Sequence, residues 1–473
     1  MRKIFTIYWT VVLSSLIFFI AVLLNADNAF FWDTIQLGSH HADHYFKTNF
    51  SVLLLPDDID SGHIPAFGAY IAMFWKLFGR NLCVSHLAML PFGFGLIFQL
   101  FRLIKRFILP KYLSIAFGLI IIDPSLMSQM LLVSPDVPLL FFFLLAVNSV
   151  LDNKKIFLMI AIVLLFLTSM RGMMLSVCVL IFDLCCNVSS RENIKELFTA
   201  LMKRSLIYIP AFLIFIVFSL IHFQEKGWIG FHQDSPWQES FEKVEFTGVI
   251  FNIAVLGWRI LDFGRIGIWI VLFILFAKYR KQIIKDPRIR QISFFFACIL
   301  FLLPLNMLWA KGLLGNRYLI PIYLFCSLLC ATILFSDFVT RKLRVVLILT
   351  WATIIISGNF WIYPPKVSQG WDATLAHLPY YNLRLKAKKY LDDHKIDFHS
   401  VASFFPNDAG IDAIELNGEK RSFAVFDGNN DFVFYSNIFN ISDQEYDDII
   451  SNYEIIQSFE KNGVFVWICK MKN

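Results

Sequence analysis

Charged residues are scarce in this chain, and their scarcity excludes an ordinary soluble protein. Only 16% of the 473 residues are Asp, Glu, Lys or Arg, whereas 57% are hydrophobic and the mean hydropathy is +0.62. Soluble domains usually carry about 25% charged residues. Apolar runs of about 18 residues or more recur along the chain, and each is long enough to cross a bilayer. The composition predicts a polytopic membrane protein, and nucleic acid is not an expected partner.

The chain also lacks cysteine spacings typical of disulfides or zinc sites, and it shows no internal repeat. Its eight cysteines lie mostly inside apolar runs, where a free cysteine behaves as a small hydrophobe. A cleaved signal peptide is not expected either. The first apolar stretch, residues 5–24, is longer than a typical signal-peptide core of about 7–15 residues, and no small-residue cleavage motif precedes Asn25.

Eleven apolar segments are predicted to span the membrane. They are approximately residues 5–24, 83–101, 112–132, 137–151, 156–170, 173–186, 206–223, 255–277, 292–309, 319–338 and 345–363. With the N-terminus in the cytoplasm, the cytoplasmic loops hold far more Lys and Arg than the outer loops, as the positive-inside rule requires. One alternative joins residues 156–186 into a single span, but it would bury Arg171 at the bilayer centre, which is costly. We therefore expect two short spans with Arg171 at the turn between them.

The character of the chain changes after Tyr363. Residues 1–363 form the predicted transmembrane module, and residues 364–473 form a predicted soluble domain on the outer side. In that domain "NLRLKAKKYLDDH" has helical periodicity, and "SDQEYDDIISN" begins with a serine typical of a helix cap. The segments "SVASFF", "SFAVFD", "DFVFYS" and "GVFVWICK" are typical of strands. The predicted fold class is a polytopic α-helical membrane protein with a small C-terminal α/β domain.

Polar residues collect on the predicted outer face, where the first outside loop spans residues 25–82. The loop and the other outer segments contribute Asp33, His40, Asp43, His44, His63, Asp136, Arg171, Lys311 and Arg317, and the outer half of the eighth predicted span adds Arg259, Asp262 and Arg265. Charges inside a membrane usually face a cavity or each other. Carboxylates and cations beside apolar walls suit a substrate with an anionic head and a lipid tail, because Arg and Lys bind phosphate and a carboxylate serves as a base.

Four short motifs occur in a characteristic order. Trp32-Asp33 follows the first span, and "SGHIPAFGAYIAMFWKLFG", "DPSLMSQMLLVSPDVPLLFFFLLAVN" and "RYLIPIY" come after it. This order resembles the GT-C glycosyltransferases, specifically the family 39 protein O-mannosyltransferase group and the related lipid A aminoarabinose transferases. The resemblance covers roughly residues 1–338. It implies transfer of a hexose or pentose from a polyprenyl-phosphate donor to an acceptor hydroxyl or related group on a protein, lipid or glycan.

The resemblance also implies roles for particular residues. Asp33 matches the catalytic carboxylate that deprotonates the acceptor, and Asp136 would orient the acceptor or support a metal. Arg317 and Tyr318 match the late Arg-Tyr pair. His63 stands where the family usually has a lysine that contacts donor phosphate, and a neutral histidine is a poorer partner for an anion. Thr34 replaces the second acid of the usual pair, which weakens a metal requirement.

Four further cations, Arg171, Arg259, Arg265 and Lys311, are candidates for binding donor phosphate from their predicted position alone. The resemblance places the chain among the lipids of a bacterial inner membrane, and the charge bias and the number of spans put the N-terminus in the cytoplasm and the C-terminal domain outside. For that domain, acceptor docking and a lid over the site are both open.

Several alternatives stay open at this point. Asp33 and Asp136 each stand where a helix cap would. A divalent metal ion held by His40, Asp43 and His44 is another alternative, since the two histidines are four residues apart. A transporter or flippase for a lipid-linked sugar would use the same kind of substrate, although transporters often show repeated halves. A lipid-linked polysaccharide polymerase would share the donor type.

Overall fold

The computed structural model describes residues 2–188, 194–230, 232–233, 235 and 237–472. Residues 189–193, which belong to a predicted cytoplasmic loop, lie outside this described part, as do the side chains of Arg2 and Lys3. The helices before the C-terminal sheet are α1 (Arg2–Leu24), α2 (His41–Thr48), α3 (Ala66–Phe78), α4 (Leu82–Leu87), α5 (Leu90–Phe107), α6 (Leu113–Ile121), α7 (Pro124–Leu131), α8 (Asp136–Leu151), α9 (Lys155–Thr168), α10 (Met170–Asn187), α11 (Ile194–Ser205), α12 (Ile209–Lys226), α13 (Gln238–Phe241), α14 (Phe246–Leu261), α15 (Ile266–Lys285), α16 (Pro287–Leu302), α17 (Ile320–Leu334) and α18 (Arg341–Ser357).

The membrane prediction rests on long apolar helices, and the structure contains them. Within the described part of the chain, six helices are long and apolar enough to cross a membrane, or up to eight if each of two bent pairs is one span. The remaining predicted spans coincide with the Tyr8–Leu24 part of α1 and with α8 and α9, which are shorter apolar stretches. All eleven predicted segments therefore hold a helix or a bent pair, and the helical membrane fold is confirmed.

Two of the predicted spans are broken. Residues 112–132 form α6 and α7, whose axes differ by 72°, and residues 255–277 belong to α14 and α15, which differ by 82°. Asp123 ends the first helix and caps the second by accepting from the backbone N–H of Ser125 at 3.0 Å. The prediction of a single straight helix was wrong for both the third and the eighth span, because Asp123 starts a new helix and Asp262 leaves its helix in an extended conformation. The charges of the eighth predicted span therefore lie at a helix break, where side chains satisfy the free backbone groups.

The turn between α9 and α10 confirms two separate helices with Arg171 beside the turn. Ser169 is extended, with φ −174° and ψ 166°, and its hydroxyl accepts from the backbone N–H of Gly172 at 3.3 Å. A Cβ atom on Gly172 would lie 2.0 Å from the carbonyl oxygen of Leu165. Only glycine therefore lets the two helices approach this closely, and Arg171 comes to lie at one end of the bundle.

The C-terminal region forms a five-stranded sheet with helices. It contains α19 (Pro379–Asp393), β1 (Val401–Ser403), α20 (Ile411–Glu415), β2 (Ala424–Val425), β3 (Phe432–Ser436), α21 (Asp443–Asn452), β4 (Tyr453–Lys461) and β5 (Val464–Met471). The strand order is β2-β1-β3-β5-β4, with β1 parallel to β2 and β3, and β5 antiparallel to β3 and β4.

The four predicted strands and two predicted helices of this region are confirmed, and β4 was missed. The Ser442 cap of α21 is a complete capping box with Glu445. Strand β4 alternates poorly between apolar and polar residues, because it pairs only with β5 at the edge of the sheet.

The sheet packs against the first loop of the membrane module. Phe31 is buried in the same apolar cluster as the inner strands, and its ring stacks on His377 with centroids 4.7 Å apart. Short turns at Trp371–Ala373 and Leu375–His377 connect the last membrane helix to α19, and the first of them lies against α7. A domain boundary near residue 363 stays a prediction, and the chain just beyond it contacts both parts.

Candidate active site

A cavity lies between the first loop, the α9–α10 turn and the segment before α17, and its empty space, including the part open to solvent, is about 860 Å³. Apolar side chains form most of its wall, which is typical of a small-molecule or lipid site with a few polar anchors. The lining residues are Asp33, Leu37, His41, Ser61, His63, Ile64, Pro65, Phe67, Pro135, Thr168, Ser169, Met170, Arg171, Trp237, Phe241, Asn306, Met307, Leu313, Arg317 and Tyr318. Five of the residues predicted from the sequence therefore share one cavity: Asp33, His63, Arg171, Arg317 and Tyr318.

Asp33 is held at the cavity by a strained turn. Trp32 has φ +54°, which a bulky residue rarely adopts and which costs on the order of 1–3 kcal/mol. The Thr34 hydroxyl donates to the Phe31 carbonyl at 2.7 Å, and a π-helix (Ile35–His40) follows. The Asp33 carboxylate accepts from Arg317 and, at 3.4 Å, from the hydroxyl of Tyr318. The carboxylate is therefore directed at the cavity wall, and the capping position belongs to Thr34.

Arg317 is the centre of the charged cluster. It sits in a 3₁₀ turn (Asn316–Leu319) that leads into α17, and its side chain is buried. Besides Asp33, its guanidinium lies 3.2 Å from the carboxylate of Asp372 and 3.9 Å from that of Asp136. One guanidinium thus holds three carboxylates that come from the first loop, the start of α8 and the C-terminal segment.

Arg171 supplies the second cation of the cavity. It pairs with Asp136, and its guanidinium lies 4.5 Å from the centre of the Tyr318 ring, within range of a cation–π contact. Asp136 is fully buried behind the wall, where it also accepts from the hydroxyl of Ser134 at 3.3 Å. Asp136 therefore acts on the cavity through Arg171 and Arg317, since its own side chain is not among the lining groups that the structure describes.

His63 lies on a loop that Asp60 anchors to α12. Asp60 is buried, accepts from the backbone N–H of Gly62 at 2.8 Å, and contacts both His222 and Lys226 of α12 at 3.1 Å. The His63 ring reaches the carbonyl of Ser61 at 3.2 Å. Burial lowers the pKa of His63 below its usual value, and the neighbouring Arg171 lowers it further. The imidazole is therefore neutral near pH 7 and offers a hydrogen bond to a ligand, not a positive charge.

Three of the predicted phosphate-binding cations do not line the described cavity. Arg265 is buried between Asp123 at 2.8 Å and the hydroxyl of Ser125 at 2.7 Å. Arg259 pairs with Asp262 at 3.3 Å, next to the carbonyl of Ser368. Arg265 therefore connects the two helix breaks, whereas Arg259 links its own break to the segment at Ser368. Lys311 is exposed and contacts Glu242 at 3.1 Å. Phosphate binding by these three residues stays a prediction.

The alternative metal site does not assemble. Asp43 contacts Lys47 at 2.5 Å and Arg80 at 3.1 Å, so its oxygens are shared with two cations. Within the residues that the structure describes, no group of three or more His, Cys, Asp or Glu side chains is placed to hold a metal ion. Burial lowers the pKa of both His40 and His44, and a neutral imidazole can bind a metal, so it is the missing third ligand among the described residues that disfavours this site.

Sequence reasoning missed two carboxylates. Asp372 was overlooked because it lies beyond the predicted membrane module, although Trp371-Asp372 repeats the Trp32-Asp33 pair. Burial raises the pKa of Asp372 to about 6, against the opposing effect of Arg317. Asp123 was hidden within an apparently continuous span. An acid followed by proline in an apolar run was the available signal for it, because that pair favours a helix start.

No family model matches the chain, and no curated protein matches it. Among solved structures, the chain is similar to a crystal structure of ArnT from Cupriavidus metallidurans bound to undecaprenyl phosphate. The TM-score is 0.49 and the identity is 11%, with 98% of each chain covered.

Proposed function

We propose that this protein is a membrane glycosyltransferase of the GT-C type, which moves a sugar from a polyprenyl-phosphate donor to an acceptor hydroxyl. The observation that carries the proposal is the placement of Asp33 on the wall of an apolar cavity beside two arginines, Arg171 and Arg317. The order of the four sequence motifs supports the same assignment, including its finer form in family 39 and the aminoarabinose transferases.

The chemistry requires one base and an anion site. Asp33 would accept the proton from the acceptor hydroxyl as its oxygen forms a bond to the anomeric carbon. The bond between that carbon and the phosphate oxygen breaks, and the polyprenyl phosphate leaves with the bonding electron pair. Its phosphate gains one negative charge, so cations stabilise the transition state more than an acid would. Asp33 and the two arginines are sufficient for these steps.

The contacts of each cavity residue indicate a role for it in this reaction. Arg171 and Arg317 would bind the donor phosphate, and Tyr318 would keep the Asp33 carboxylate oriented through its hydroxyl. His63 would donate a hydrogen bond to the phosphate or the sugar. Asp136 would set the positions of both arginines from behind the wall.

The proposed orientation follows the distribution of basic loops. The N-terminus would be cytoplasmic, and the cavity and the C-terminal sheet would lie on the outer face of a bacterial inner membrane. The acceptor would be a protein, lipid or glycan hydroxyl that reaches the cavity from that side.

A transporter for a lipid-linked sugar is the second candidate, and the two broken spans are the observation that favours it. Transporters often bind substrate where helices are interrupted near the midplane. In this chain both breaks are filled by the Asp123–Arg265 and Arg259–Asp262 pairs, and the cavity lies elsewhere.

One experiment separates these candidates. Purified protein in nanodiscs would receive a panel of polyprenyl-phosphate sugars with membrane extract as the source of acceptor, and released polyprenyl phosphate would be measured. In parallel, proteoliposomes would be assayed for movement of the same donors across the bilayer. Turnover of one donor without movement is the expected result. Movement without turnover would replace the transferase with the transporter.

A further inference from the structure

The charged cluster around Arg317 is unbalanced. Its three carboxylates, Asp33, Asp136 and Asp372, face two guanidinium groups, those of Arg317 and Arg171. With every group ionised, the cluster carries one negative charge in excess. Each of these five side chains is buried or lines the apolar cavity. An uncompensated charge in such surroundings raises the free energy of the folded protein.

Asp372 is the carboxylate with the weakest compensation. Asp136 shares Arg171 as well as Arg317, and Asp33 accepts from both Arg317 and Tyr318. Asp372 has the 3.2 Å contact with Arg317, a guanidinium that the other two acids also use.

Within the described residues, Arg317 is the cation that contacts the carboxylate of Asp372. Arg259, which reaches Ser368 of the same segment, is paired with Asp262. From α7, Ser128 and Gln129 donate to the backbone carbonyl of Asp372 at 2.7 and 2.9 Å, and both are uncharged. On the following turn, His377 is fully buried, and burial lowers its pKa to about 4, so it is neutral. Asp123, at the start of α7, forms an ion pair with Arg265, which lies just before α15, so these two charges cancel.

The proposed donor brings another negative charge to this cluster. A phosphodiester of a sugar and a prenol carries one negative charge at any pH near neutrality. If it binds Arg171 and Arg317, two cations must serve three carboxylates and a phosphate. Protonating one carboxylate relieves that excess, and the acid that must stay ionised is Asp33, because it is the proposed base.

We propose that the site takes up one proton when an anionic phosphate donor binds, and that the carboxyl of Asp372, one layer behind the cavity wall, holds it. This inference rests on the proposed function. Asp372 is then a positioning residue: protonated, it leaves Arg317 to the phosphate and to Asp33, and it couples the C-terminal segment to donor binding. The proton comes from solvent and returns there when the product leaves, and no covalent bond to Asp372 forms.

The probe for the test is undecaprenyl methyl phosphate, a phosphodiester whose single charge does not titrate. Its affinity for the full-length protein in nanodiscs would be measured from pH 6 to pH 8 by isothermal titration calorimetry. Repeating the titration in buffers with different ionisation enthalpies counts the protons taken up. For wild type, the affinity is expected to fall by up to about tenfold per pH unit, with uptake of close to one proton per probe at pH 7.5.

Variants identify the residue that holds the proton. Asp372→Asn keeps the backbone carbonyl that Ser128 and Gln129 use, and its affinity is expected to change less than about twofold over the same pH range with no proton uptake. Asp393→Asn, which removes an exposed carboxylate on α19, is the matched control and should behave as wild type. His63→Gln should also keep the pH dependence, because burial lowers the pKa of His63 and its imidazole is already neutral near pH 7. His41, the other histidine of the cavity, is neutral as well, since burial lowers its pKa to about 3.

Each outcome decides the question. Binding by wild type without pH dependence or proton uptake would overturn the inference and leave the proposed function in place. Persistence of uptake in Asp372→Asn, or its loss in His63→Gln, would assign the proton to another group. Failure of wild type to bind the probe at all would remove the proposed function, and this inference with it.

Discussion

Two arginine–aspartate clusters lie close together in this protein, and they differ in balance and in access. The cluster at the helix breaks pairs Arg259 and Arg265 with Asp262 and Asp123, so its charges cancel. Asn316 and Tyr363 also donate to Asp262, and the Arg265 guanidinium lies 3.6 Å from the centre of the Tyr323 ring. All four charged residues are buried away from the cavity.

The cluster around Arg317, called the open cluster below, has three carboxylates and two guanidinium groups, and it lies beside the cavity. The same residue types, largely buried in both clusters, therefore have different roles in the two. The buried cluster with equal numbers of acids and arginines holds the broken helices together. The cluster with an excess carboxylate beside the cavity can bind a ligand and take up a proton. The comparison also explains why Arg171, Arg259 and Arg265 looked equivalent in the sequence although, of these three, Arg171 alone lines the described cavity.

Breaking the balanced cluster is expected to have the largest effect, and that effect should fall on folding. Arg265→Leu leaves Asp123 buried without its cation and should destabilise the fold by about 3–5 kcal/mol. The double variant Arg265→Leu with Asp123→Leu removes both charges and should recover much of that loss. Thermal unfolding in detergent, followed by size-exclusion chromatography, measures both. A double variant as unstable as the single one would show that the ion pair is not the cause.

Weakening the open cluster should instead weaken binding of the donor. Arg171→Gln removes a charge-assisted contact worth about 1.5–3 kcal/mol, so the KM for the donor should rise by roughly 10- to 100-fold. The buried Asp136 also loses an ion pair but keeps Arg317 and Ser134 as partners, so the melting temperature should fall less than in Arg265→Leu. Lys311→Gln is the comparison, because Lys311 is exposed and a surface ion pair contributes little. Its KM should change less than about threefold. The reverse pattern would move the phosphate site toward Lys311.

The hydroxyl of Tyr318 offers a smaller change within the open cluster. It lies 3.4 Å from Asp33 and 3.2 Å from Arg317. Tyr318→Phe keeps the ring under Arg171 and removes only this hydrogen bonding, worth about 1 kcal/mol, so kcat should fall by roughly fivefold while the KM for the donor stays the same. A changed KM with an unchanged kcat would mean that the hydroxyl contacts the donor and does not orient the base.

The smallest effect concerns the excess charge itself. The pKa of Asp372 is about 6 in the folded protein and near 4 in an unfolded chain, so the folded state binds this proton more tightly. The resulting stabilisation is complete below about pH 4 and is lost as the pH rises through 6. Asp372→Asn does not titrate, so its melting temperature relative to wild type should increase between pH 5 and pH 8, on the order of 1–3 °C. A constant difference would show that Asp372 is not protonated in the folded state.

Much of the fold was readable from the sequence because bilayer spans and amphipathic strands have strong periodic signals. The helices, the α9–α10 turn at Arg171 and four strands follow from hydrophobic runs, charge placement and a serine cap. The breaks at Asp123 and Asp262 were missed, because hydropathy averages over a window and one acid hardly changes the mean. The edge strand β4 was missed because its pairing is one-sided.

The site was predictable only in part, for a similar reason. Motif order places Asp33, His63, Arg317 and Tyr318 together, and the structure brings them into one cavity with Arg171. Whether an arginine binds a carboxylate or faces a cavity depends on tertiary contacts, so Arg259 and Arg265 could not be separated from Arg171. Asp372 comes from a distant segment, and nothing local in the sequence links it to Arg317.

The central claim is that Asp33 is the base of a transfer reaction in the open cluster. The most direct measurement is single-turnover transfer at saturating donor by wild type and Asp33→Asn in nanodiscs, with donor binding measured in the same samples. The account predicts that Asp33→Asn binds the donor at least as tightly as wild type, because one negative charge leaves the cluster, and transfers sugar at least about a hundredfold more slowly. Transfer at the wild-type rate by Asp33→Asn would contradict it and place the base on another residue.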